Sequence, residues 1–191
     1  CALALDGFAQ GFRAARATEG IGFGITRIGV HSGEAIVGKS AARLESVNKH
    51  LGTRVCVSAA TAAHCPGVRF RPVGTLILSG KEEGIEVVSP VADEDDAAVL
   101  ESYCDAFAML GRGDAAAAAG LEAVLRIRAG DGLASFHLAR LRRGETGDRT
   151  VTSAAGGERR GGAQQQSGAG ENAGDAERRV MLILGLSVGR F

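Results

Sequence analysis

The chain has 191 residues, and its 22 Lys and Arg side chains balance its 22 Asp and Glu side chains, so the formal net charge at pH 7 is zero. This balance argues against binding to nucleic acid or to an acidic membrane surface, because such binding depends on excess positive charge. The chain also has no Trp and a single Tyr, which argues against aromatic stacking on bases. Hydrophobic residues make up 45% of the chain, which is enough for a core and excludes global disorder.

The cysteines and the first residue bear on the cellular compartment. The four cysteines are widely spaced and include no C-x-x-C pair, which favours a reducing environment over a disulfide framework or a zinc site. The chain begins with Cys, no signal peptide follows, and the apolar run Val180–Val188 is far shorter than the ~20 residues of a spanning helix. We therefore predict a piece of a longer protein that is cytoplasmic, or that forms the cytoplasmic end of a membrane-anchored protein, with no membrane contact of its own.

Hydrophobic periodicity predicts the elements of the first half of the chain. Residues 1–18 have apolar side chains at helical spacing. Residues 19–91 alternate short strands with one clear helix, Ser40–Leu51, which ends at Gly52. Ser58 is expected to cap a second short helix. The predicted strands are Ile25–His31, Ala35–Val37, Arg54–Val57, Val68–Phe70, Thr75–Leu78 and Ile85–Val88.

The second half of the chain has a different pattern. Three helices are predicted within residues 92–144, at 97–110, 115–129 and 133–143. Residues 152–179 are rich in Gly, Ala and Gln with mixed charge, and such a stretch buries too little apolar surface to become ordered. Mixed strands and helices followed by more helices predict an α+β fold with a helical extension and a disordered tail.

A short motif over Gly33–Ser40, GEAIVGKS, matches the phosphate-binding P-loop pattern G-x-x-x-x-G-K-[ST]. Such a loop lies between a strand and a helix, so that backbone N–H groups and the helix N-terminus face the phosphates, and the flanking segments comply. However, its central residues are β-prone rather than small, and no apolar strand ending in Asp follows to hold Mg²⁺. The alternative is a hairpin with a turn at Ser32–Glu34 and a return strand over Ala35–Gly38.

Three consecutive segments resemble the class III nucleotidyl cyclases, the adenylate and guanylate cyclase family. ITRIGVHSGEAIVG, at 25–38, resembles a hairpin of that catalytic domain. AARLESVNKHLGTRVCVSAAT, at 41–61, resembles the helix, strand and helix that follow, and RFRPVGTLILSGKEEGIEVVSP, at 69–90, resembles the final hairpin. Residues 98–149 resemble the helical extension that follows many bacterial cyclase domains.

The resemblance implies a ferredoxin-like sandwich that works as a dimer and binds ATP between two domains. In this family two aspartates hold Mg²⁺ or Mn²⁺, and the ribose 3′-hydroxyl attacks the α-phosphate to give cyclic AMP and pyrophosphate. By the same resemblance, Arg43 matches the arginine that stabilises the transition state, a role suited to a planar, permanently charged guanidinium. Lys81 matches one phosphate-contacting lysine of the K-G-K turn, and Ser79 replaces the other. The alternative for both basic residues is a solvated surface position.

The chain also departs from the family pattern. The two metal-binding aspartates lie before residue 1 in the matched pattern, so no metal ligands are expected here. The segment that carries the catalytic Asn and the base contacts is missing between Gly38 and Ala41, and Lys39 takes the place of that Asn. We therefore predict that the chain alone has no cyclase activity, and the pattern does not distinguish ATP from GTP.

The sequence thus predicts a partial nucleotidyl cyclase catalytic domain at 1–91, a helical extension at 92–150 and a low-complexity, disordered tail at 151–191. The functional hypothesis is a catalytically incomplete cyclase domain of intracellular signalling, with ATP as ligand and a homodimer or another cyclase domain as partner. Two alternatives stay open: a non-catalytic partner of an intact cyclase domain, and a P-loop nucleotide hydrolase acting through Gly33–Ser40.

Overall fold

The computed structural model describes residues 1–32, 39–78, 84–91, 97–152 and 180–186, with backbone alone for 39–43, 78, 152 and 180–186. In these ranges the elements, in chain order, are α1 (Ala2–Thr18), β1 (Thr26–Ser32), α2 (Lys39–Leu51), β2 (Val55–Ser58), α3 (Ala59–Ala62), β3 (Phe70–Leu78), β4 (Gly84–Pro90), α4 (Ala97–Gly111), α5 (Ala117–Ile127), α6 (Gly132–Arg142), β5 (Arg149–Thr152) and β6 (Val180–Leu186). No helix in the described ranges is both long enough and apolar enough to cross a bilayer.

The strands form one mixed sheet in the order β5-β3-β4-β2-β1-β6. β1 runs parallel to β2, and β3 runs parallel to β5, whereas β4 is antiparallel to both β2 and β3 and β6 is antiparallel to β1. β1, β2 and β3 therefore point the same way. We call the edge at their last residues, Ser32, Ser58 and Leu78, the carboxyl edge, and the opposite edge the amino edge.

Helices cover both faces of the sheet, because β1 and β2 are apolar on alternating positions. On one face, Ile28 and Val30 of β1 and Val55 and Val57 of β2 are buried against the first turns of α1 and against α3. The other face is covered by α2, α4, α5 and α6. Its buried side chains are Leu44, Val47, Leu51, Cys56, Val73, Leu76, Val87, Val99, Tyr103, Ala106, Leu121, Val124, Leu133, Ala134 and Leu138. The α+β class is confirmed.

Helices α4 to α6 share this larger core with the sheet. Tyr103 of α4 is 1% exposed, and its hydroxyl donates to the carbonyl of Pro72 in β3 at 2.9 Å. Arg71 of β3 makes an ion pair of 2.5 Å with Asp131, which also caps α6 by accepting from the N–H of Ala134 at 2.9 Å. Side chains on both sides of residue 91 therefore pack against each other. The domain boundary proposed at residue 91 stays a sequence prediction.

Strand β5 is held beside β3 by a close backbone approach and a buried arginine. Gly74 has φ +122° at the register shift of β3, and a Cβ there would meet the carbonyl oxygen of Asp148. Arg140, 2% exposed, donates to the carbonyls of Gly147 at 3.1 Å and Arg149 at 2.7 Å. This short polar strand is therefore fixed by contacts from outside it.

Most helices and strands predicted from the sequence are present, with shifted ends. The two strands predicted at 68–70 and 75–78 are one strand, β3, because its bulge preserves pairing with β4. Ser58 makes no side-chain cap bond, since its hydroxyl contacts Thr61 instead. The strand predicted at 35–37 lies outside the described residues, as does 153–179 of the predicted tail. Within that tail, Val180–Leu186 forms β6.

Candidate functional site at the carboxyl edge

Asn48 fixes the direction in which α2 crosses the sheet. Its side chain is fully buried, and its Nδ2 donates to the carbonyls of Ile28 at 3.1 Å and Leu44 at 3.0 Å. Its Oδ1 accepts from the hydroxyl of Thr53 at 2.6 Å. These bonds hold the end of α2 beside the first half of β1, so the beginning of α2 lies toward the carboxyl edge.

Sequence reasoning missed this role of Asn48. The residue stands beside the exposed Lys49 and His50 at the end of a helix, where polar residues are ordinarily solvated. The signal that could have found it is its spacing, since Asn48 follows Leu44 by four residues and shares the apolar face of α2.

The topology brings the elements that flank the two site positions inferred from the resemblance to one edge. Arg43 lies on α2 five residues before Asn48, which is about 7.5 Å closer to the carboxyl edge. Lys81 lies outside the described residues, but β3 ends at Leu78 and β4 begins at Gly84, and both ends are at the carboxyl edge. The sheet order puts β3 three strand spacings from β1, or about 14 Å.

Three hydroxyl groups occupy the carboxyl edge between these positions. The hydroxyl of Thr61 donates to Oγ of Ser32 at 2.9 Å and lies 2.9 Å from Oγ of Ser58. Ser58 and Thr61 are 1% and 5% exposed. This chain of hydroxyls joins the ends of β1 and β2 to α3, and it makes the edge polar without charge. The sequence pattern gives no signal for it, because the three residues come from separate elements.

The described part of the carboxyl edge does not fit a Mg²⁺ or Mn²⁺ site. These ions prefer carboxylate oxygens, whereas the edge presents the hydroxyls of Ser32, Ser58 and Thr61. Within the described ranges no three His, Cys, Asp or Glu side chains converge. No metal-dependent step is therefore assigned to these residues.

The strongly shifted titratable groups lie away from this edge. Burial raises the pKa of the Cys56 thiol to about 12, although its hydrogen bond to Thr53 acts in the opposite direction, so this thiol is not a ready nucleophile. Burial also lowers the pKa of His137 to about 4. Both groups lie in the larger core, where their neighbours are side chains that pack the fold together.

The structure describes only part of the P-loop motif. Of Gly33–Ser40, the described residues are Lys39 and Ser40, which begin α2. β1 ends at Ser32, so a strand precedes the motif and a helix follows it. The hairpin alternative, with its return strand at 35–38, lies outside the described residues. The strand and helix flanks are those that a phosphate-binding loop requires.

Comparison with known proteins finds a partial similarity to a cyclase. The chain is 33% identical to Adenylate cyclase 1 of Rhizobium meliloti (strain 1021) over 109 residues, which cover 48% of this chain and 16% of that protein. No protein-family profile matches the chain, and no solved structure matches it. The similarity supports a cyclase-related domain in about half of this chain, and it extends over a small part of the relative's length.

Proposed function

We propose that the chain carries part of a nucleotidyl cyclase domain that binds a nucleoside triphosphate at the carboxyl edge and acts only when paired with a second domain. The observation that carries this proposal is the topology of the site. A helix bearing Arg43 and the strand ends that flank Lys81 meet at one edge, and the chain is 33% identical to part of an adenylate cyclase.

The two basic residues have distinct parts in this proposal. Arg43 supplies a fixed positive charge to the phosphoryl group as charge develops in the transition state, and a guanidinium can donate two parallel hydrogen bonds there. Lys81 holds the outer phosphates as a mobile point charge. The two residues belong to different elements, so they would contact different parts of an extended triphosphate.

A second domain would supply the metal-binding groups that the described residues of this chain do not present. The described residues hold no carboxylate cluster, so the family's Mg²⁺ or Mn²⁺ would be held by aspartates of a second cyclase domain. A missing transition-state donor typically costs about 3–4 kcal/mol of barrier, and missing metal ions cost several more. The chain alone is therefore expected to be inactive, in either a homodimer or isolation.

Complementation tests the proposal. A cyclase domain with intact metal-binding aspartates, but with its own transition-state arginine replaced by alanine, is incubated with ATP or GTP and Mn²⁺, and products are separated by chromatography. Addition of this chain should restore cyclic nucleotide formation, and the nucleotide used identifies the substrate. Arg43→Ala should abolish the restoration, whereas Arg112→Ala, on an exposed residue at the end of α4, should not.

Two results would reject the proposal. Cyclic nucleotide made by the chain alone would show that the groups attributed to the partner domain are present within this chain. Restoration that is equal with wild type and Arg43→Ala would show that Arg43 has no role in the reaction. Binding without restoration would favour the non-catalytic partner, which should change the rate of an intact cyclase domain instead.

A P-loop hydrolase is the second candidate, favoured by the strand that ends at Ser32 and the helix that begins at Lys39. In that case the chain alone converts ATP to ADP, because Lys39 contacts the phosphates directly. Lys39→Ala should abolish ADP formation, and Lys49→Ala, an exposed lysine of the same helix, should leave it unchanged. No ADP from the wild-type chain would exclude this candidate.

A further inference from the structure

A polar cavity lies at the amino edge of the sheet, opposite the carboxyl edge. It has a volume of about 220 Å³, and it is bounded by α1, by the start of β1 and by the connection from α2 to β2. The side chains that give it its chemistry are those of Asp6, Arg13, Arg27, Thr53 and Arg54. Three of its lining residues are therefore arginines, and one is an acid.

The acid is already neutralised by its neighbours. Asp6 accepts from Nε of Arg54 at 3.1 and 3.0 Å through its two oxygens, and from Nε2 of Gln10 at 2.9 Å. Its side chain is 8% exposed, whereas that of Arg54 is 52% exposed. The carboxylate thus holds Arg54 through its Nε.

The other two arginines leave the lining with excess positive charge. Arg13 is an exposed residue on α1, and within the described residues no ion pair of its guanidinium is present. Arg27 has a buried Nε without a hydrogen-bond acceptor among the described residues. Burial raises the pKa of Glu45 on α2 and the charge of Arg27 lowers it, so this carboxylate offsets part of the charge of Arg27. An anion bound in the cavity would compensate this positive charge.

The size of the cavity restricts the ligand. Sites for drug-sized ligands have volumes of roughly 300–1,000 Å³, so a cavity of about 220 Å³ is too small for a whole nucleoside triphosphate. An oxyanion with several acceptor oxygens matches the forked guanidinium groups of the arginines. We propose that the cavity at the amino edge binds a small phosphate-bearing anion, either inorganic phosphate or a phosphate monoester.

Calorimetric titration of the full chain tests this site, at constant ionic strength set with chloride. Inorganic phosphate and ribose 5-phosphate are the two probes, because tighter binding of one identifies free phosphate or a monoester as the source. Saturable binding of either probe is expected. Arg13→Gln should weaken it about tenfold, since a charge-assisted contact is lost from an exposed helix position that folding does not need.

Matched variants separate this cavity from other surfaces. Arg112→Gln, a distant exposed arginine, should bind phosphate as the wild type does. Glu45→Gln should bind it more tightly, because a competing negative charge is removed. Absence of saturable binding, an Arg13→Gln variant that binds normally, or a loss of binding with Arg112→Gln would each overturn the proposal.

Discussion

His137 makes the stability of this protein depend on pH in the mildly acidic range. Its ring is fully buried between Phe107 and Phe136, with ring centroids 5.3 and 5.1 Å away, and neither ring nitrogen has a hydrogen-bond partner among the described residues. Burial, with a further contribution from the nearby guanidinium of Arg140, lowers its pKa from 6.5 to about 4, and the Val73 backbone, which does not meet hydrogen-bond geometry with the ring, opposes this less strongly.

The direction of the effect follows from proton binding. Between pH 6.5 and about 4 the unfolded chain protonates this histidine while the folded chain keeps it neutral. The unfolded state therefore binds more protons, and the free energy of unfolding falls as the pH falls through this window. A shift from 6.5 to about 4 corresponds to about 3 kcal/mol lost by pH 4, at about 1.4 kcal/mol per pKa unit.

Urea unfolding followed by circular dichroism measures this loss at a series of pH values from 4 to 7.5. The test variant is His137→Leu, which does not titrate and keeps an apolar side chain in the core. The free energy of unfolding of this variant should change less between pH 7 and pH 4 than that of the wild type, by about 3 kcal/mol. His50→Gln, at an exposed histidine of α2, is the matched control and should keep the wild-type dependence.

Subtraction of the two profiles removes the contributions of other groups, such as Glu145, whose pKa is lowered by hydrogen bonds from Arg143 and Arg140. Parallel profiles for wild type and His137→Leu would refute the reasoning. So would a folded-state pKa of His137 near 6.5 measured by NMR, because the ring would then be solvated or paired.

Three further predictions concern single side chains that fix the fold. Arg140→Met should free β5, with faster amide hydrogen exchange there and about 2–4 kcal/mol lost, because three hydrogen bonds are removed. Gly74→Ala should cost more than 1 kcal/mol in urea unfolding, since its φ of +122° and the carbonyl of Asp148 leave no room for a Cβ. Asn48→Ala should cost about 1–3 kcal/mol and shift α2, whereas unchanged stability would show that its bonds have no net effect.

The sequence predicts the elements with strong local signals. The helix expected at Ser40–Leu51 is present as α2, because its apolar face repeats regularly and Gly52, with φ +68°, ends it. β1 is equally clear from its alternation. Such elements carry their own periodicity, so tertiary contacts do not have to be known.

The elements that were missed depend on contacts from outside them. β5 has the sequence RTVT, which is short and polar, and it is a strand because Arg140 and the bulge at Gly74 hold it beside β3. β6 lies within the apolar run Val180–Val188, which the sequence assigns to the tail because a short apolar run does not reveal its pairing with the distant β1. For the site, Arg43 and Lys81 were predicted from the resemblance. Their flanking elements meet at one edge because of the directions in which the strands run, and a local sequence pattern does not contain those directions.

The shared core links the helices after residue 97 to the candidate site. Gly52, at the end of α2, is so close to Gly132, at the start of α6, that a Cβ on Gly52 would lie 2.7 Å from the Cα of Gly132. Leu44, Val47 and Leu51 of α2 pack in the same cluster as Leu133 and Leu138 of α6. The position of the helix that bears Arg43 is therefore set from both sides, by Asn48 against β1 and by α6 against its end. A shift of α6 would be transmitted to α2 at this contact, because close-packed interfaces transmit displacement rather than absorb it.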